Sequence, residues 1–138
     1  MAYSNINTEK AAYFSTTVSA FRFVKFSSEI ANKGLVAVTY SGAGEIAQGA
    51  VITTVGTAGV VRRYAPSGYG NRCSIEMATG TCSPGDMIMA AAAGAGKKLA
   101  VASTTAPVYC NAIALEDGTT GTFVLCELVS PFKVADKN

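Results

Sequence analysis

The spacing of apolar positions along this chain predicts strands rather than helices. Apolar runs are short, rich in β-branched residues, and separated by clusters of glycine, serine, threonine and proline. No segment of ten or more residues keeps a clean helical period. The pattern predicts nine strands, at Ala20–Ser27, Leu35–Tyr40, Ala50–Val55, Val60–Tyr64, Arg72–Ala78, Asp86–Ala91, Lys98–Ala102, Val108–Leu115 and Thr122–Val129. Short strands at this spacing are typical of an all-β sandwich or barrel.

The strand at residues 72–78 has the clearest alternation of the nine. Its apolar side chains are Cys73, Ile75 and Met77, and polar residues stand between them. Because successive side chains of a strand point to opposite faces, this strand is expected to bury those three residues and expose the others.

The connections carry residues that favour turns. Gly-Thr-Ala-Gly at 56–59 and Glu-Asp-Gly-Thr-Thr-Gly at 116–121 each join two predicted strands as a hairpin, and Pro-Gly at 84–85 predicts another turn. Ala90–Ala93 could start a helix, but Gly94 and Gly96 follow, and glycine costs about 1 kcal/mol inside a helix. We therefore expect a strand followed by a loop there.

The two ends of the chain differ from its middle. Residues 1–19 lack strand alternation, although they carry three of the chain's twelve aromatic residues. An arm that docks on another subunit would have this composition, and so would a terminus that folds back on its own core. The pattern divides the chain into an extended N-terminal arm at 1–19, a β-domain at 20–130 and a C-terminal tail at 131–138.

The charge content indicates that part of the surface is covered. The chain has 11 basic and 9 acidic residues among 138, and 49% of its residues are hydrophobic. An average soluble domain of this length would carry about 35 charges. A partner, or further copies of the same chain, would be the simplest cover for the remaining surface. The net charge of +2 is too small to indicate nucleic acid or an anionic membrane as a partner, and no apolar run reaches the roughly 18 residues of a membrane span.

No complete catalytic, cofactor or metal motif is present. Gly42-x-Gly44-x-x-Ala47 resembles a dinucleotide fingerprint, but a strand pattern follows where a helix should begin. The glycine-lysine run at 94–98 lacks both the first glycine and the final Ser or Thr of a phosphate-binding loop. Without any histidine, a Ser-His or Cys-His pair cannot form. We expect no enzymatic activity and no cofactor.

The four cysteines are at 73, 82, 110 and 126, in no metal-binding spacing. They are expected either as buried free thiols or with one disulfide, for which Cys110 and Cys126 are the first candidates because adjacent closing strands could bring them together.

Six residues are candidates for contact with a capsid or another subunit. Aromatic side chains and arginine are enriched where binding energy concentrates. The candidates in the N-terminal segment are Tyr3, Tyr13 and Phe14, and those in the irregular loop at 64–72 are Tyr64, Tyr69 and Arg72. That loop could equally be an ordinary connection whose tyrosines pack locally.

From about residue 34 to residue 129 the order of the pieces resembles the small decoration, or cement, proteins of tailed-bacteriophage heads. The resemblance lies in LVAVTY followed by AVITTVGTAGVV, then SPGDMIMAAAAG, the lysine hairpin GKKLAVAS, and the ending VYCNAIALEDGTTGTFVLCELV. The cysteines and the aromatic N-terminal third depart from that pattern.

The resemblance implies a β-tulip-like or barrel protein, usually a homotrimer, that is made in the host cytoplasm and sits on the exterior of the virion. Its partner would be the major capsid protein, and its role would be to hold capsid subunits together. The alternative function is a glycan- or receptor-binding β-module on a phage structural protein. The absence of tryptophan and the few acids disfavour this alternative.

Overall fold

The computed structural model describes residues 8–27, 35–52, 55–100 and 108–134. Within these ranges the chain forms ten strands and a single-turn 3-10 helix at Ala92–Gly94, which confirms the all-β prediction. The strands are β1 (Lys10–Phe14), β2 (Phe23–Phe26), β3 (Ala37–Tyr40), β4 (Gly49–Ala50), β5 (Val61–Pro66), β6 (Arg72–Thr79), β7 (Met87–Ala90), β8 (Gly96–Lys98), β9 (Val108–Ala114) and β10 (Phe123–Val134).

Most observed strands overlap the predicted ones. β6 buries alternate residues as expected, because Cys73, Ile75 and Met77 are at most 3% exposed. Two predictions were misplaced in position. β4 spans only two residues and starts before its predicted segment, and β8 ends where the predicted strand begins. Residues 53, 54, 101 and 102 of those predicted strands lie outside the described ranges.

The strands close into two five-stranded barrels, one after the other along the chain. Barrel 1 has the order β1-β3-β2-β4-β5, and barrel 2 has the order β6-β8-β7-β9-β10. Adding five to each strand number of barrel 1 gives the order of barrel 2, so the two barrels have the same strand order. The directions match as well, because the first and third strands of each barrel pair in parallel and the other pairs are antiparallel.

Backbone hydrogen bonds align the barrels residue by residue. The Phe14 amide donates to the Val60 carbonyl, and the Gly59 amide donates to the Phe14 carbonyl, at 3.1 and 2.8 Å. In barrel 2 the Met77 amide donates to Thr122 and the Gly121 amide donates to Met77, at 2.9 and 2.8 Å. Phe14 and Met77 therefore occupy equivalent positions. Each residue that precedes Phe14 on β1 is likewise equivalent to the residue the same number of positions before Met77 on β6.

The loops expected to be hairpins at 56–59 and 116–121 do more than reverse the chain. Each returns to the segment after its barrel's first strand, through isolated bridges between Val18 and Gly56 and between Cys82 and Gly118. A Cβ atom at Gly56 would collide with the Phe14 ring, and one at Gly118 with the Val124 side chain. Glycine is required in both loops because the backbone lies directly against a core side chain.

Both expected domain boundaries fall inside the folded region. The boundary after residue 19 is corrected because β1 pairs with β3 and β5 and places Ala12 and Phe14 in the core of barrel 1. Residues 8–19 thus follow the alternative in which the segment folds back on its own domain. The boundary after residue 130 is corrected because β10 continues past a bulge and pairs Phe132 and Val134 with β9. The central β-domain contains two barrels instead of one.

The cores of the two barrels meet along an apolar seam. Barrel 1 encloses a small cluster around Phe14, Val24, Val38 and Tyr64. The larger cluster of barrel 2 also takes in side chains that barrel 1 contributes, namely Phe23, Ala47, Ala50 and Ala65. The burial of this wall fixes the barrels against each other through the hydrophobic effect.

All four cysteines belong to barrel 2, and all are free and buried. This agrees with the free-thiol alternative of the sequence analysis. Strand register places Cys126 opposite Cys73, whereas Cys110 lies opposite Phe132. The pairing considered first, Cys110 with Cys126, is therefore not set up by the strands.

Candidate interaction surface

Nothing in the described part of the chain assembles reactive groups. Among those residues, no three or more His, Cys, Asp or Glu side chains cluster as metal ligands would. Burial raises the pKa of the Cys73 thiol to about 12 and also raises that of Cys126, so both remain protonated and poorly nucleophilic near neutral pH. None of the described helices is long and apolar enough to cross a membrane. The described candidate contact residues lie on β1, β5 and β6 and in the loop between β5 and β6.

Two buried asparagines fix the seam between the two barrels. The Asn111 amide nitrogen donates to the Glu45 carbonyl and its oxygen accepts from the Ala47 amide, both at 3.1 Å. The Asn71 amide donates to the Thr8 and Pro66 carbonyls at 2.8 and 2.9 Å. Each side chain hydrogen-bonds to backbone groups of barrel 1, as buried polar groups require.

A second link across the seam is electrostatic and aromatic. Arg22 pairs with Glu76 at 2.8 Å and also donates to the Ala93 carbonyl at 3.1 Å. Phe21, which has a φ of +67°, places its ring 4.9 Å from the Phe123 ring in an edge-to-face arrangement. The positions of the surfaces on the two barrels are thereby fixed relative to each other.

The loop between the barrels presents Tyr69 to solvent. Tyr69 is 55% exposed, and its hydroxyl accepts a hydrogen bond from Lys10 Nζ at 3.2 Å. The same ammonium lies 5.2 Å from the centre of the Tyr69 ring, within the range of a cation–π contact. Arg72 is half-exposed and lies 3.9 Å from Glu127. Tyr69 thus stands beside a cation that the sequence analysis did not single out.

The other four candidate residues divide by burial. Phe14 is fully buried and Tyr64 is 3% exposed, so both are core residues and are corrected as contacts. A side chain enclosed in its own barrel has no surface to offer a partner. Tyr13 is half-buried on β1, opposite Val61, and keeps some surface. Tyr3 lies outside the described residues.

The paired strands β1 and β5 of barrel 1 carry three exposed cations whose proximity sequence reasoning missed. Register places Lys10 opposite Tyr64, Ala11 opposite Arg63 and Ala12 opposite Arg62. Lys10, Arg62 and Arg63 are all exposed. The adjacent arginines were visible in the sequence, but β1 was not predicted, so nothing showed that they lie beside Lys10.

These three cations have no carboxylate partner among the residues that the structure describes. The ion pairs found there join Arg22 to Glu76, Lys25 to Glu45, Arg72 to Glu127 and Lys98 to Asp86. The exposed carboxylate of Glu9 precedes Lys10 in sequence but makes no ion pair with it within the described residues. By strand alternation Arg62 shares one side of the β1–β5 ribbon with Lys10, whereas Arg63 points to the other side.

A shallow depression of about 320 Å³ lies on barrel 1 near the seam, lined by Lys25, Gly44, Glu45, Ile46 and Tyr109 among others. Lys25 donates to both carboxylate oxygens of Glu45 at 2.7 and 2.8 Å, and this contact holds the pKa of Glu45 below its usual range. The charges lining the depression already neutralise each other, so it offers little to a charged ligand.

Several large apolar side chains are exposed, mainly on barrel 1. They are Phe26, Val36, Tyr40, Val55, Val61 and Tyr69 on barrel 1 and its following loop, with Phe123 and Phe132 on barrel 2. Single exposed apolar residues are ordinary in folded proteins, and barrel 1 exposes more of them than barrel 2.

Comparison with known proteins identifies the fold but no family. No protein-family model matches the chain, and no curated protein matches its sequence. Among solved structures, the N base of head fiber gp8.5 in bacteriophage phi29 superposes with a TM-score of 0.65 at 14% identity. The match covers 94% of this chain and 99% of that one. At this identity the likeness shows that the two chains share a fold across their whole length.

Proposed function

We propose that this protein is a structural component of a tailed-phage head, attached to the capsid exterior as a decoration protein. The observation that carries the proposal is the end-to-end likeness to the base of a phage head fiber. That likeness covers nearly the whole of both chains, so it concerns the complete two-barrel fold and not one common motif. Fold alone does not define function, and the surface chemistry gives independent support.

Two properties of the described residues favour a structural role over an enzymatic one. The polar groups at the seam are satisfied by hydrogen bonds within the chain, and the cysteine thiols are buried with raised pKa values. Meanwhile the outer surface of barrel 1 combines exposed apolar side chains with cations that lack carboxylate partners. A protein with these features is suited to binding other proteins through its surface.

On the particle, we propose that the major capsid protein is the partner and that the chain attaches as a homotrimer. The low charge content supports burial of surface between copies. Many attached copies, each with a modest interface, would stabilise a head collectively through multivalency. Static light scattering of the purified chain in physiological salt would give the mass of a trimer. A monomer that also attaches singly would contradict the stoichiometry.

Attachment is tested on particles of the phage that encodes the chain. The gene is deleted, heads lacking the protein are purified, and purified protein is added back. We expect saturable binding to the outer surface, visible by electron cryomicroscopy, and greater resistance of the decorated heads to heat. If intact wild-type particles do not contain the protein, or if it binds host glycans but not heads, the proposal fails.

A further inference from the structure

The side of barrel 1 that faces barrel 2 carries a row of three residues on three neighbouring strands. Phe23 lies opposite Ala50, and Ala50 lies opposite Ala65, so the three side chains project to the same side of the sheet. All three are fully buried. They pack at the end of barrel 2 where β7 joins β8, and Gly94 of that connection lies against the backbone of Phe23. Within the chain, the side of one barrel thus packs on an end of the other.

The strand registers place an equivalent row on barrel 2. Phe14 and Met77 are equivalent, and the pairings β1–β3–β2–β4–β5 match the pairings β6–β8–β7–β9–β10 step by step. The row of barrel 1 therefore corresponds to Met87, Ile113 and Glu127 of barrel 2. Ile113 lies directly opposite both Met87 and Glu127, so this row also projects to one side of its sheet.

This side of barrel 2 is apolar but incompletely covered. Leu115 and Leu125 stand two residues along from Ile113 and Glu127, so they project to the same side. Met87, Ile113, Leu115 and Leu125 are each only half-buried, in contrast to the fully buried row of barrel 1. We call these four residues the side face of barrel 2.

Barrel 1 has the complementary feature, an end that keeps large apolar side chains exposed. Phe26 lies opposite Val38, and Val36 precedes Val38 by two residues, so Phe26 and Val36 project to the same side. They are 49% and 45% exposed. Ala90, which corresponds to Phe26 in barrel 2, is fully buried at the end that barrel 1 covers. We call Phe26 and Val36 the open end of barrel 1.

We infer that the side face of barrel 2 docks on the open end of barrel 1 in a second copy of the chain. The contact repeats between copies the arrangement that joins the barrels within one copy. This rests on the proposed homotrimer and names the surfaces that hold it together. A contact between two different surfaces is heterologous and generates a ring when the rotation between copies closes. Three copies would then form a ring of six barrels, with every side face and every open end buried.

A second copy fits these surfaces better than an unrelated protein does. Asn111, two residues before Ile113, already bonds to barrel 1 at residues 45 and 47, so a barrel docked on the side face would extend the existing seam. Glu127, at the edge of the side face, lies 3.9 Å from Arg72, so docking would not bury a lone carboxylate. Each copy supplies one surface of each kind, and the burial of both is favoured by the hydrophobic effect.

Single lysine substitutions on the two surfaces test the contact. F26K places a charge on the open end, and I113K places one on the side face. The control is F132K, because Phe132 is 47% exposed and lies opposite Cys110, on the other side of the sheet from Ile113. Circular dichroism and thermal melting establish that the variants fold, and L125K replaces I113K if the latter melts far below wild type. Static light scattering gives the mass of each variant and of an equimolar mixture of F26K with I113K.

We expect wild type and F132K to be trimers, and F26K and I113K to be monomers when each is alone. The mixture should contain dimers, because F26K keeps an intact side face and I113K keeps an intact open end. Such a pair makes one contact and cannot close a ring. Binding of each protein to purified heads lacking it is measured separately.

A monomeric wild type would overturn the inference, as would loss of trimers in F132K or the absence of dimers in the mixture. If I113K stays trimeric but no longer binds heads, the side face contacts the capsid instead. If F26K stays trimeric and only melts earlier, its own chain covers the open end. Either result also overturns the inference. A trimeric wild type that fails to bind heads would refute the proposed attachment, while the masses of the variants would still decide the contact between copies.

Discussion

The two barrels share strand order, strand direction and register, yet they are filled with different side chains. Barrel 1 packs a small cluster built around an aromatic ring, Phe14, and its closing strand carries exposed arginines. Barrel 2 packs a larger cluster of sulfur-containing and branched residues, including three of its four cysteines, while Cys110 packs in a separate cluster with Met89 and Leu99. What they have in common lies in the turns, where Gly56 and Gly118 contact core side chains and Gly59 and Gly121 have positive φ. The topology therefore depends on backbone geometry at a few positions and tolerates wide change in the core.

The largest expected effect comes from truncating the equivalent core residues one at a time. Phe14→Ala and Met77→Ala each remove a buried side chain and leave a cavity, so each should lower the free energy of unfolding by about 2–5 kcal/mol. Urea denaturation followed by circular dichroism measures the loss. Tyr69→Ala is the control and should change stability by about 0.5 kcal/mol or less. A small loss in one barrel only would mean that this barrel contributes little to the cooperative fold.

Alkaline pH should weaken barrel 2 before barrel 1. The folded pKa of Cys73 is about 12 and that of Cys126 is also raised, whereas an unfolded thiol titrates near about 8.5. Their contribution is thus fully present below that pH and is lost as pH rises towards the folded values. Above about pH 8.5, ionisation of each thiol in the unfolded state lowers the free energy of unfolding by about 1.4 kcal/mol per pH unit. For the two thiols together the loss is about 3 kcal/mol at pH 9.5.

Unfolding free energies measured at pH 7.5, 8.5 and 9.5 test this slope. The double variant Cys73→Ala, Cys126→Ala starts less stable but should show a clearly shallower decline. Tyr64 of barrel 1 also has a pKa raised by burial, but it titrates above this range. An unchanged slope in the variant would show that other groups produce the alkaline loss.

An intermediate effect is expected at the seam. Asn111→Ala leaves the buried Ala47 amide without its hydrogen-bond acceptor, which should cost about 2 kcal/mol. Differential scanning calorimetry distinguishes two kinds of response. A single transition at lower temperature would mean that the barrels still unfold together, and two resolved transitions would mean that Asn111 couples them. No change in either feature would contradict the assigned role.

The smallest effect should be the same in both barrels. Gly59 and Gly121 have φ values of +80° and +79°, with open space where a Cβ atom would go. Gly59→Ala and Gly121→Ala should therefore each cost only the backbone strain, about 1 kcal/mol. Thermal melting of the two variants side by side checks the match. A difference greater than about 1 kcal/mol would break the equivalence of the two loops.

Local pattern was enough to predict the strands that bury alternate or β-branched residues, such as β6 and β9. It failed for β1, because Lys-Ala-Ala-Tyr-Phe has no β-branched residue and its alternation depends on alanines. The Gly-Thr-x-Gly turns at 56–59 and 118–121 can be read from the sequence, but the duplication of the barrel cannot. Each barrel closes by pairing its first strand with its last, and that long-range pairing leaves no local pattern.

The same limit applies to the surface. Tyr69 and Arg72 were predicted from the composition of one loop, which a sequence shows directly. The position of Lys10 relative to Arg62 and Arg63 was not predictable, because these residues come near one another only through the pairing of β1 with β5. Pairing between strands some 50 residues apart in sequence depends on tertiary structure, and no local period reports it.

The apolar seam has a consequence for how the chain is made. Domains fold largely as units during synthesis, the N-terminal one first, and every strand of barrel 1 has been translated once Pro66 leaves the ribosome. At that moment Phe23, Ala47, Ala50 and Ala65 lack their cover, because the side chains of barrel 2 that will pack on them have not yet emerged from the ribosome. Asn111, which satisfies the backbone at residues 45 and 47, is also still to come. The nascent first half therefore passes through a stage with an exposed apolar wall, when it is most prone to associate with other nascent chains or to need a chaperone.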